Sequence, residues 1–193
     1  MITASARGAW VLLIGGLAGW LAAVVLTIER FALFTDPKHV PSCSINPILS
    51  CGSVMEAEQA AVFGFPNPII GIVGFSVVVT LAVLSVAGVG FPRWIWVGLW
   101  LGTVAGVGFI GWLIFQSIYR INALCPYCMV VWAIITPLLA VVTNQLWGNS
   151  KGPLGALIAW RWVFVALFVV VILLLIFLRF EYYGFPRVPA LDE

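Results

Sequence analysis

The sequence predicts an all-α protein built into a membrane, and three observations carry that expectation. Of 193 residues, 63% are hydrophobic and 8% are charged, against roughly 25% charged in a soluble domain. Mean hydropathy is +1.16. The nine basic and seven acidic residues leave charge-free gaps over 8–28, 59–92, 94–119, 121–150 and 162–178. Each gap supplies, or nearly supplies, the ~20 apolar residues that cross ~30 Å of hydrocarbon. Five transmembrane helices follow, in a single membrane domain spanning 1–193. A net charge of +2 without a basic run excludes an electrostatic nucleic-acid surface. The first gap is too long for a signal-peptide core and lacks a clear small-residue cleavage site, so it is expected to be retained.

The first segment, about Trp10 to Phe34, carries Gly15, Gly16 and Gly19 on close turns. Such glycines either permit close backbone approach in lipid or are merely tolerated there. A polar loop from Thr35 to Ala61 holds Cys43 and Cys51 with seven residues between them, and Pro41 and Pro47 break regular structure around the first thiol. Cys43 is therefore expected on a mobile, exposed segment. Ser53 and Glu56 match a Ser-x-x-Glu capping box, which predicts a short amphipathic helix to about Phe63. Its Val54, Met55, Ala57, Ala61 and Val62 either lie flat as a membrane lid or belong to an ordinary connecting helix.

Asn67, followed by Pro68, opens the second segment, about Ile69 to Val89. It reads as an N-cap and equally as an amide donor at the membrane mouth. The third segment, about Trp94 to Arg120, repeats glycine at 98, 102 and 106, a smooth stripe expected to pack against another helix. Ile121–Leu124 is so short a link that segments three and four must be antiparallel neighbours. Segment four, about Cys125 to Trp147, contains Pro137 as an expected kink. Segment five, about Ala156 to Phe180, extends across Arg161, which is expected to snorkel, and a short tail closes the chain.

With five spans, the Cys43/Cys51 loop shares a side with 120–124 and the C-terminal tail. The cationic count is nearly a tie, with Arg30, Lys38, Arg120, Arg179 and Arg187 on that side against Arg7, Arg93, Lys151 and Arg161 on the other, so charge does not orient the chain. Gathering all four cysteines on one face suits an oxidising exterior.

Cys125-Pro126-Tyr127-Cys128 stands where a polar loop becomes an apolar helix, and Pro126 suits the first turn. A thiol at the N-cap is favoured as thiolate by unpaired amides and the helix dipole. Four cysteines admit three readings. A tetrahedral zinc site fits poorly, because the Cys43/Cys51 spacing is wider than the two to four residues of such pairs. Static structural disulfides in a non-enzymatic membrane protein are the second, although the short Cys-x-x-Cys loop favours a reactive bond. The third is a dithiol relay from a surface pair to a membrane pair, whose final acceptor must be lipid-soluble, and a quinone suits that role. His39 and Lys38 stand near Cys43, either to lower its pKa or as a solvated pair.

The two loop cysteines, the stretch Gly64-Phe65-Pro66-Asn67-Pro68-Ile69-Ile70-Gly71 and the Cys-Pro-Tyr-Cys start of the fourth segment resemble the vitamin K epoxide reductase family in its bacterial branch, over about Trp10 to Trp147. The resemblance implies a four-helix bundle around a quinone (menaquinone or ubiquinone, of the vitamin K type) over 10–147, with the fifth helix and tail, 156–193, outside it. It implies that Cys43 exchanges with a reduced partner, that Cys51 passes electrons to Cys125, and that Cys128 faces the quinone. Asn67 matches the asparagine that hydrogen-bonds the quinone carbonyl, and Met55, Phe63 and Trp132 are further candidates for the pocket. Ala57 stands where the family commonly has Ser, and Trp132 where vertebrate members have Tyr, which leaves true epoxide reduction as an alternative activity. Many bacterial relatives carry a fused thioredoxin-like domain; here the expected partner is a separate thioredoxin-like, DsbA-like protein. The expected location is a bacterial plasma membrane, with the N-terminus cytoplasmic and the cysteines and C-terminus outside. B-type Dsb proteins, also quinone-linked, carry their two cysteine pairs in the reverse order.

Overall fold

The computed structural model describes residues 1–36, 38–46 and 48–182, with side chains described to 180. Pro47 and the C-terminal tail, which carried sequence expectations, lie outside the described residues. Among the described residues seven α-helices form: α1 (Ala6–Thr35), α2 (Cys51–Glu56), α3 (Pro68–Val86), α4 (Arg93–Gln116), α5 (Pro126–Trp147), α6 (Pro153–Ala159) and α7 (Arg161–Phe177). Five helical spans are long and apolar enough to cross a membrane, which makes this an all-α integral membrane bundle. At 1.5 Å per residue, the 30 residues of α1 outrun the hydrocarbon, so its last turns stand clear of it.

Around the bundle, α3 packs on α1, α1 on α5, and α5 on α4, while α7 lies outside α5. Small residues set the closest of these contacts. A Cβ added to Gly16 would sit 3.1 Å from the side chains of Val78 and Val79, and one on Gly19 would fall 2.5 Å from the Phe75 ring. Without a hydrophobic drive between helices in lipid, such close approach is what holds α1 to α3. Side-chain hydrogen bonds pin the same pairs: the Trp20 indole donates to Ser76 Oγ at 3.0 Å and the Trp100 indole to Thr143 Oγ1 at 3.1 Å.

One end of the bundle is closed by a core of Leu12, Phe75, Trp96, Leu99, Leu138 and Val142 with their neighbours. There Ile2 pairs with Phe91 in an isolated bridge, and the Trp96 indole donates to Ile2 O at 3.2 Å. The opposite end is closed by the cysteine loop. Between them α3 and α4 scarcely meet.

Three expected elements differ in detail. The loop helix begins at Cys51, because Ser50 rather than Ser53 is its cap, Oγ accepting from Ser53 N at 3.3 Å. It stops at Glu56, where Ala57 turns extended, and resumes as a 3-10 turn over Glu58–Ala61. The fifth segment is two helices rather than one, broken at Trp160, and Arg161 donates to Ile158 O at 2.9 Å. The stripe of Gly98, Gly102 and Gly106 packs on another helix only at Gly106, where an added Cβ would sit 3.3 Å from Ile135 of α5. A Cβ on Gly98 or Gly102 would meet nothing within 4 Å, and all three glycines line a cavity.

Candidate functional site

The link between α4 and α5 positions the membrane-side thiols. After Gln116 the chain makes a π turn, and Asn122 takes the left-handed conformation, φ 56°, which Asn tolerates better than most residues. Ser117 Oγ donates to Ala123 O at 2.5 Å, and Arg179 donates to Asn122 Oδ1 at 2.7 Å. The chain then meets the first loop in parallel register. Leu124 N–H donates to Ile48 O at 2.7 Å and Ser50 N–H to Leu124 O at 3.0 Å, forming a bridge between Leu49 and Leu124.

That bridge brings the two cysteine pairs together. Cys43 and Cys51 form a disulfide, Cys125 and Cys128 are free thiols, and Cys51 Sγ lies 3.2 Å from Cys125 Sγ. Cys51 and Cys125 are each 0% exposed and Cys43 only 5%, so the expectation of an exposed Cys43 is corrected. The loop is tucked in, with Cys43, Cys51 and Cys125 packed among Leu26 and Met55. His39 does not face Cys43 as a pKa-lowering cation; it pairs with Glu29 at 2.7 Å.

Cys125 is the N-cap of α5, its sulfur accepting from Cys128 N at 3.4 Å, with Pro126 in the first turn. Its thiol is held below the usual range, first by the Cys128 side chain and then by the N–H groups of Cys128 and Tyr127, against the opposing effect of burial. One turn deeper, Cys128 is partly accessible and reaches a cavity of about 890 Å³.

The cavity lies between α3 and α4 beneath the loop helix. Its lining is almost wholly apolar, with Met55, Phe63, Asn67 and Trp132 on its walls and Gln59, Thr103 and Ser117 among its few polar groups. Asn67 is the other departure. Its side chain does not cap α3; Nδ2 donates to Gln59 O at 2.7 Å and Oδ1 accepts from Val62 N at 3.1 Å. The amide therefore braces the loop helix over the cavity, and one of its two N–H hydrogens is spent there. Ser42 and Glu29, which hold the loop, carried no expectation of their own; a carboxylate directly after the charge-free run 8–28 was the available signal.

No curated protein matches this chain in sequence. Residues 10–143 match the sequence profile of the vitamin K epoxide reductase family, a stretch that covers α1 to most of α5 and all four cysteines. The chain belongs to the vitamin K epoxide reductase family of membrane oxidoreductases.

Proposed function

We propose that this protein is a membrane thiol–disulfide oxidoreductase that re-oxidises a thioredoxin-like, DsbA-like dithiol partner and so supports disulfide formation in exported proteins. The observation that carries the reading is the 3.2 Å approach of Cys51 Sγ to Cys125 Sγ, with Cys128 one helical turn on and lining the cavity. Thiol–disulfide exchange needs a thiolate in line with a disulfide sulfur. The buried Cys51/Cys125 contact supplies the sulfurs, and the start of α5 supplies the positive field.

Each exchange conserves sulfurs and electrons, two electrons entering from the partner and leaving from Cys125/Cys128 to a lipid-borne acceptor. A partner dithiol reduces Cys43–Cys51, leaving the partner as a disulfide and the loop as two thiols. The Cys51 thiolate attacks Cys125 of an oxidised Cys125–Cys128 pair, releasing Cys128 as a thiol. Cys43 then attacks Cys51 and releases Cys125. The result is Cys43–Cys51 as disulfide with Cys125 and Cys128 reduced, which is the distribution of sulfurs described above.

A quinone fits the cavity: the volume suits a drug-sized ring system, the walls are apolar, and the remaining Asn67 N–H is available to a carbonyl. A quinone held there by Asn67, Met55, Phe63 and Trp132 would supply a two-electron, two-proton acceptor beside Cys128. The gap bordered by Gly74, Gly98 and Gly102 offers a lipid-borne ligand a sideways route. We take 1–193 as one membrane unit, core bundle 10–147 with the fifth helix beside it, in a bacterial plasma membrane with the thiols outside.

Reconstituted vesicles test the reading. Adding a reduced thioredoxin-like protein should reduce menaquinone or ubiquinone at a rate abolished by Cys128→Ala. A Cys128→Ala protein that matched wild type would overturn it.

A further inference from the structure

One polar cluster at the thiol end has no part in the exchange just described. Glu29, near the C-terminal end of α1, accepts at Oε1 from both the Ser42 N–H at 3.2 Å and the Ser42 hydroxyl at 2.5 Å. Its other oxygen meets His39 Nε2 at 2.7 Å. The Glu29 side chain is 13% exposed while Ser42 stands exposed beside it, so the carboxylate holds the loop at the water boundary through charge-assisted hydrogen bonds. Ser42 is followed directly by Cys43. The turn that carries the cysteine is closed by Ser44 N donating to Pro41 O at 2.9 Å, and Gly52 N donates to Ser44 Oγ at 3.3 Å. One carboxylate thus ties residues on both sides of Pro41 to a transmembrane helix.

The geometry creates a conflict that this carboxylate is placed to resolve. Cys43 is 5% exposed, and no protein thiol can approach such a sulfur along the axis that exchange requires. Yet the same tucked position holds Cys51 against Cys125. The loop cannot serve partner and membrane pair in one position. Of its side-chain ties to a transmembrane helix, those between Cys43 and the end of α1 all converge on Glu29.

We propose that Glu29 is the positioning residue of the loop disulfide. Bound to Ser42 and His39, it docks Cys43–Cys51 in a closed position facing Cys125. Its release lifts the loop into an open position in which a dithiol attacks Cys43, displaces Cys51 as a thiolate and leaves as its own disulfide. This rests on the relay reading for its purpose, but the docking itself is testable without quinone or partner.

The full chain carrying Cys125→Ala and Cys128→Ala, purified with Cys43–Cys51 oxidised, is reduced with dithiothreitol and the freed thiols are counted by maleimide mass shift. Glu29→Ala is expected to accelerate reduction about tenfold, and Ser42→Ala to accelerate it by less. Glu29→Gln keeps an acceptor for the Ser42 N–H while losing the charge, and should fall between Glu29→Ala and wild type. In the paired assay, Cys43→Ser/Cys128→Ser protein forms the Cys51–Cys125 disulfide on mild oxidation, and adding Glu29→Ala should slow that closure. A wild-type reduction rate in Glu29→Ala overturns the proposal. So does acceleration accompanied by equal loosening of hydrogen exchange throughout α1 and α3, which would make Glu29 a general structural residue. Wild-type protein that failed to pass electrons from a dithiol to quinone, with the accelerated loop reduction still seen in Glu29→Ala, would sink the relay reading and leave the docking role standing.

Discussion

The main-chain N–H of Leu124 donates to the carbonyl of Ile48 at 2.7 Å, and this bond sets the register that lays Cys51 on Cys125. Both groups are main-chain, and Asn46 Oδ1, accepting from the N–H groups of Ile48 and Leu49 at 2.9 and 2.7 Å, fixes the loop side of the register. The expected consequence is selective cross-linking. In a Cys43→Ser/Cys128→Ser variant, Cys51 and Cys125 should form one disulfide in high yield, read by peptide mapping. A Cys51→Ser/Cys128→Ser variant should give markedly less Cys43–Cys125 product, and equal yields would contradict the register.

Asn67 links the cap over the cavity to the start of α3. Asn67→Ala removes bonds to Gln59 O and Val62 N, and unpairing such buried groups costs about 1–3 kcal/mol. Hydrogen exchange across 57–63 should accelerate by about ten- to a hundredfold, with α1 and α5 unchanged. Exchange that stayed at the wild-type rate would show that the amide is not the brace.

The two groups of glycines should respond oppositely to added side chains. Gly19→Ala drives a Cβ into the Phe75 ring and should lower stability by about 1–3 kcal/mol, seen as a lower melting temperature in detergent. Gly98→Ala has open space around it and should leave stability unchanged or raise it by up to ~1 kcal/mol through helix propensity.

Filling the cavity itself separates binding from folding. Gly102→Leu should melt close to wild type yet weaken quinone affinity by about tenfold or more, the equivalent of ~1.4 kcal/mol of overpacking. Tryptophan fluorescence quenching by added quinone would measure it, and unchanged quenching would remove the ligand from this cavity.

The acidity of Cys125 predicts a pH signature. Because the Cys128 side chain is the largest influence lowering it, thiolate absorbance assigned by difference against Cys125→Ser should titrate below the ~8.5 of a free thiol. In Cys128→Ala the midpoint should move upward. The thiolate is thus present at lower pH in the native protein and lost as protons rebind below that midpoint. An unmoved midpoint would assign the effect to the helix start alone.

Local sequence carried much of this architecture. The charge gaps marked all five spans, and Cys125-Pro126 announced a capped helix because both signals act within one turn. Non-local choices were illegible. Asn67 can cap forward or brace backward, and only the return of Gln59 and Val62 decides it. A glycine stripe reads the same whether it meets a helix, as at Gly16 and Gly19, or borders empty space, as at Gly98 and Gly102. Nothing near Cys43 foretold its burial, since the carboxylate that holds it down lies on the preceding helix. The break at Trp160 was hidden because no proline or glycine marks it; Pro153 simply starts a helix early and Arg161 takes up the Ile158 carbonyl at its end.

The empty band between α3 and α4 has a kinetic corollary. On the proposed relay, a water-soluble dithiol would meet the protein at its surface loop, whereas an apolar acceptor would enter from the bilayer on the far side of the Cys125–Cys128 turn. The two reactants would not compete for one mouth, and the oxidised partner would leave before the acceptor is reduced. Steady-state rates should therefore follow a ping-pong scheme, with double-reciprocal plots at several acceptor levels running parallel instead of converging.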